Sequence, residues 1–150
     1  MLLSIFNLTL RPILHLLAKW LFKLQVRGFE NYHRSAKKTL IVCNHLSYLD
    51  GILLSLSLPA DTAVAVYTHT QNAWYFRAIT SLIPKFLISP ERPFAIKNLI
   101  KEINQRNGRM LIFPEGQRSQ TGTLMYAYPG TAMAALKTGA DILPATIEGT

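Results

Sequence analysis

One cysteine, Cys43, is all that this 150-residue chain contains, so an internal disulfide is excluded and a reducing compartment fits. Histidines number only four, and no Cys/His cluster has metal-ligand spacing, which argues against a metal site. Charge is scarce as well: 16% of the residues are Asp, Glu, Lys or Arg, where roughly a quarter is usual in soluble domains. No unbroken run of about 18 apolar residues occurs, because Arg11, Lys19 and Lys23 interrupt the greasiest stretch, so a spanning helix is not expected. GxxxxGK[ST] and GxGxxG are both missing, which removes the P-loop and dinucleotide readings. The G-x-S-x-G elbow of ordinary serine hydrolases is missing too. With no internal repeat and no low-complexity linker, the chain reads as one domain.

What is present is apolar and basic. Hydrophobic residues make up 49% of the chain and the net charge is +8. That charge is uneven, with seven Lys/Arg against Glu30 in residues 1–40 and nine against seven in the remainder. A basic, apolar end on a nearly balanced body points to an anionic surface as partner.

The first 26 residues, MLLSIFNLTLRPILHLLAKWLFKLQV, place Arg11, His15, Lys19 and Lys23 at steps of four. On a helix these make one slowly drifting polar stripe, with Leu, Ile, Phe and Trp covering the rest. Two readings stand. Residues 1–26 form either a core helix packed on the domain, or an in-plane interfacial helix whose Lys and Arg reach anionic headgroups beside Trp20. Nucleic-acid binding is disfavoured, because aliphatic residues outnumber the charges. A secretory signal is disfavoured by the lack of a basic start and of a small-residue cleavage site.

From 27 to 150 the pattern alternates. Strands are expected at 39–43, 63–67, 85–89, 109–113 and 142–148, and helices at 50–58, 71–83, 93–105 and 130–139. Such alternation predicts an α/β fold with a mostly parallel central sheet flanked by helices. The chain stops almost directly after its last strand, as a C-terminally truncated domain would.

Function in such sheets gathers beyond the carboxyl ends of strands, and the two most unusual loops lie there. NHLSYLDG (44–51) follows the first strand. On an uninterrupted helix its His45 and Asp50 would point roughly 140° apart, so they meet only if a turn intervenes. Otherwise Asp50 is a helix cap and His45 a loop residue. FPEGQRSQTG (113–122) follows the fourth strand. It combines a carboxylate, Glu115, a flexible backbone at Gly116 and Gly122, and Arg118 with Ser119. Arginine suits bidentate phosphate recognition, and glycines let backbone N–H groups approach an anion. A polar turn held by a Glu115–Arg118 pair is the plainer alternative.

Taken in order, Asn44-His45-x4-Asp50 and Phe113-Pro-Glu-Gly-x-Arg-Ser resemble the motifs of the glycerolipid (lysophospholipid) acyltransferase family, over residues 25–150. The details DGILL, AVYT, FAIKNLI and FPEG…TGTLM look closest to the N-terminal domains of bifunctional acyl-ACP synthetase/2-acylglycerophosphoethanolamine acyltransferases. The resemblance implies His45 as general base for the acceptor hydroxyl, with Asp50 orienting it. It also implies that Asn44, Glu115, Gly116, Arg118 and Ser119 shape the acceptor site. The family's middle motif is not intact in KFLISPERP, where Arg92 is the one nearby cation able to substitute, and this departure favours an ethanolamine-type acceptor over lysophosphatidic acid. The implied partners are a lysophospholipid, an acyl carrier protein or coenzyme A thioester, and an anionic membrane surface at the cytoplasmic face. No cofactor or nucleic acid is implied. Histidine, with an ordinary pKa of about 6.5, suits such proton transfer at neutral pH. Backbone N–H groups of the 44–51 loop are candidate oxyanion donors. A non-catalytic membrane-binding remnant of the domain is the alternative.

Overall fold

The computed structural model describes residues 9–68, 83–89 and 94–150. The chain begins with α1 (Arg11–Phe22) and a short α2 (Phe29–Arg34). Strand and helix then alternate through β1 (Thr39–Cys43), α3 (Leu49–Ser57), β2 (Ala63–Tyr67), β3 (Lys85–Ile88), α4 (Ala95–Arg106), β4 (Arg109–Ile112), α5 (Gly130–Thr138) and β5 (Asp141–Ala145). The expected α/β architecture is observed; the strands at 39–43 and 63–67 keep their expected bounds, and the other boundaries move by at most three residues. The helix expected over 71–83 falls, apart from Ile83, outside the described residues, and so does Arg92.

All five strands belong to one sheet in the order β3-β2-β4-β1-β5, and every pairing is parallel. Burial on both faces explains why the inner strands β1, β2 and β4 read as short continuous apolar runs. Neighbouring residues divide between two cores. Ile41, Val64, Val66 and Leu111 join Ala18, Tyr32 and Leu53 on one face. Leu40, Ala63, Met110 and Ile112 join Leu99, Ile103, Ala134 and Ala135 on the other. The first face is therefore covered by α1, α2 and α3, and the second by α4 and α5.

This division locates a crevice. After β1 the chain crosses to α3 on one face, and after β4 it leads to α5 on the opposite face. The two strands are neighbours, with Val42 beside Ile112, so their following loops diverge from adjacent points. A topological switch of this kind opens a cleft at the carboxyl edge of a parallel sheet.

The N-terminal helix departs from the simple stripe. Arg11 and His15 are half-buried and turn toward the body with Ala18. The Arg11 guanidinium donates to the carbonyls of Ser55 and Leu58 in and just beyond α3. Ile13, Leu16, Leu17, Trp20 and Leu21 consequently face outward. No helix among the described residues is long and apolar enough to cross a membrane.

Candidate active site

The turn that the sequence required between His45 and Asp50 is present. β1 ends at Cys43, a loop follows, and α3 begins at Leu49, which puts Asp50 in the helix's first turn. Its side chain folds back rather than capping its own helix. Asp50 Oδ2 accepts hydrogen bonds from the Leu46 amide (2.6 Å) and the Ser47 amide (2.8 Å) and lies 2.9 Å from His45 Nδ1. With Oδ2 an acceptor, Nδ1 carries the proton and Nε2 is left as the basic nitrogen. Asp50 is fully buried. Burial pushes its carboxyl upward, but the bonds from His45, Ser47 and Leu46, with the nearby Thr150 side chain, more than offset this and hold it below the usual range.

A second constraint comes from the neighbouring strand. The Phe113 ring stacks on His45, with centroids 4.2 Å apart and planes 17° from parallel. The Ser119 amide donates to the His45 carbonyl at 2.7 Å, so the two motif loops are physically joined. A third link is Arg118, whose guanidinium lies 3.5 Å above the Tyr48 ring, a cation–π geometry that leaves the head exposed to solvent.

Glu115 is buried to 3% exposure, and its Oε2 has no hydrogen-bond partner among the described residues. It lines a cavity of about 640 Å³ together with His45, Gly116, Tyr67, Leu99 and Ile112. The Glu115–Arg118 turn pair considered for this loop is not formed. Gly116 has φ +68°, and a Cβ there would lie 2.6 Å from the Tyr67 hydroxyl. Glycine is therefore required by both backbone and space.

Other expected site residues are committed elsewhere. Both ends of the Asn44 carboxamide engage the Ile147 backbone, and the Ser119 hydroxyl donates to the Thr123 carbonyl at 2.8 Å. The N–H groups of Leu46, Ser47, Leu49 and Asp50 are all spent on Asp50 or Ser47, which takes them out of the expected oxyanion donors. Burial, with Asp50 next, pushes the Cys43 thiol up to about 12, so it stays protonated and is a poor nucleophile. Among the described residues no group of three or more His, Cys, Asp and Glu could hold a metal ion. Sequence reasoning overlooked Phe113, Tyr48 and Tyr67; the one available signal was an aromatic directly before Pro114-Glu115-Gly116.

Residues 23–148 match the family model described as Acyltransferase. The 1-acyl-sn-glycerol-3-phosphate acyltransferase of Cocos nucifera is 30% identical over 122 residues, which are 77% of this chain and 39% of that protein. The protein of the same name from Borreliella burgdorferi is 30% identical over 137 residues, 87% of this chain and 54% of that one. The crystal structure of the 1-acyl-sn-glycerophosphate (LPA) acyltransferase from Thermotoga maritima shares the fold at a TM-score of 0.52 with 28% identity, over 72% of this chain and 43% of that one. The chain thus spans about half, or less, of the length of the relatives it matches.

Proposed function

The chain belongs to the acyltransferase family, and from that premise we propose that it acylates the free glycerol hydroxyl of a lysophospholipid from an acyl thioester. The observation that carries the reading is the 2.9 Å contact of His45 Nδ1 with buried Asp50, at the wall of a large apolar cavity. His45 Nε2 takes the proton from the acceptor hydroxyl as its oxygen attacks the thioester carbonyl. Asp50 holds the imidazole in the Nδ1–H tautomer and stabilises the imidazolium that forms. Collapse of the tetrahedral intermediate breaks the C–S bond, and His45 returns the proton to the departing thiolate.

The acyl chain occupies the apolar part of the cavity, which has the size usual for small-molecule sites. Arg118, exposed above Tyr48, meets the acceptor phosphate. Glu115 and Gly116 shape the glycerol portion, and Arg92 is a further candidate cation for the phosphate. The donor is an acyl carrier protein or coenzyme A thioester, and the reaction needs no cofactor besides it. The names of the relatives make lysophosphatidic acid one acceptor to test, and the altered middle motif makes lysophosphatidylethanolamine the other. The outward apolar face of α1 lies on an anionic membrane surface, with Lys19 and Lys23 at the headgroups, and the protein works peripherally at the cytoplasmic face.

The test is a matrix of acyl-ACP and acyl-CoA against both acceptors, run on the wild type, His45→Ala and Asp50→Asn. Removing the base should cost about 10²–10⁴-fold in kcat, and the Asp50 variant should also fall well below the wild type. Equal turnover in all three proteins would sink the assignment. A folded wild type that binds vesicles yet acylates nothing favours a non-catalytic membrane-binding domain.

A further inference from the structure

We infer that Asn44 is a positioning residue for His45 and not a substrate ligand; the inference rests on the acyl-transfer reading only for its kinetic arm. Strand β5 pairs with β1 up to Cys43 beside Ala145. Past that pair the backbones part, and the Asn44 side chain continues the connection. Its Nδ2 donates to the Ile147 carbonyl at 2.9 Å, and its Oδ1 accepts the Ile147 amide at 2.8 Å. The identity of each amide atom follows from this network, since only the nitrogen can donate to a carbonyl. The Cys43 thiol also approaches Oδ1, at 3.6 Å, so both acceptor sites of that oxygen are engaged.

The next residue in the chain is His45. Its carbonyl is held by the Ser119 amide, its Nδ1 by Asp50 and its ring face by Phe113. These restraints come from the loop after β4 and from α3. Asn44 supplies the remaining one, from the segment after β5, and it acts on the backbone from which His45 projects. Ile147 is itself buried in the core, so the clamp is anchored to a rigid point. A base displaced by about 1 Å can lose on the order of a hundredfold in rate, which sets the size of effect to look for.

Asn44→Asp tests this with little change of shape. The carboxylate can still accept the Ile147 amide, but its second oxygen then faces the Ile147 carbonyl, and two acceptors repel. Protonation turns that oxygen into a donor and restores the clamp. In the full-length chain, kcat at pH 8 should fall about ten- to a hundredfold, with KM for both substrates changed by less than about twofold. The ratio of variant to wild-type kcat should then recover toward pH 5. Asn44→Ala should show the same loss without the acid recovery. A readout independent of turnover is the His45 side-chain nitrogen NMR spectrum, in which the Nδ1–H tautomer should lose population in both variants at pH 8.

If the wild type transfers no acyl group while the tautomer still shifts, the positioning role stands and the proposed reaction fails. If the wild type is active and neither variant changes kcat or tautomer, or if KM rises with kcat intact, the positioning role is overturned. Variants that fold at neither pH also overturn it, since Asn44 would then serve the fold as a whole.

Discussion

A fully buried carboxylate keeps its charge only when neighbours supply hydrogen bonds, and Asp50 gathers two amides and an imidazole on Oδ2 alone. Its Oδ1, like Glu115 Oε2, is buried without a partner among the described residues. Two under-satisfied carboxylates beside one histidine form a strongly acceptor-rich site, and Cys43 lies within their field. With the thiol pushed up to about 12, Cys43 should resist iodoacetamide at pH 8 in the folded protein and react fully in denaturant. Mass spectrometry reads the difference, and rapid alkylation of the native chain would contradict the burial. Much at this scale could be read from the sequence, because His45, Asp50, Glu115 and Arg118 announce themselves by type and order. The Phe113 stack and the Asn44 clamp could not. Both depend on β1 lying between β4 and β5, a pairing of segments some seventy and a hundred residues apart that no local pattern encodes.

At the scale of elements, periodicity served well. Of the apolar side chains spaced along α4, Leu99 and Ile103 are buried while Ile96 is left 38% exposed, and the apolar runs of β1, β2 and β4 became strands covered on both sides. Helix α1 was less predictable, since a polar stripe at steps of four does not say which way it faces. Two carbonyls near the end of α3 draw Arg11 inward, and this contact leaves Trp20 at 77% and Leu16 at 65% exposure. Replacing both by Ser should therefore leave thermal stability nearly unchanged. Each apolar side chain buried in an interface contributes about 1.5–3 kcal/mol, so partition into anionic vesicles should drop at least about tenfold. Cosedimentation measures this, and unchanged partition would remove α1 from the membrane contact.

At the scale of the molecule, acid should weaken the fold through Asp50. Its carboxyl sits below the usual range when folded, so the unfolded chain binds protons more readily. Stability from this group is full above an ordinary aspartate pKa of about 3.9 and is lost as pH falls through the lower folded value. The stability advantage of the wild type over Asp50→Asn should therefore hold steady above about pH 5 and shrink as pH falls below about 4, as read by thermal melts across that range. Parallel curves would show that the carboxylate contributes nothing to the fold. The long reach of the sheet has one further consequence, for the order of events in synthesis. Asn44 leaves the ribosome 103 residues before Ile147, and His45 leaves 74 residues before Ser119. Contacts so distant in sequence form late and slowly. A nascent chain therefore carries its histidine loop without the Asn44 clamp until β5 and the residues just after it come free.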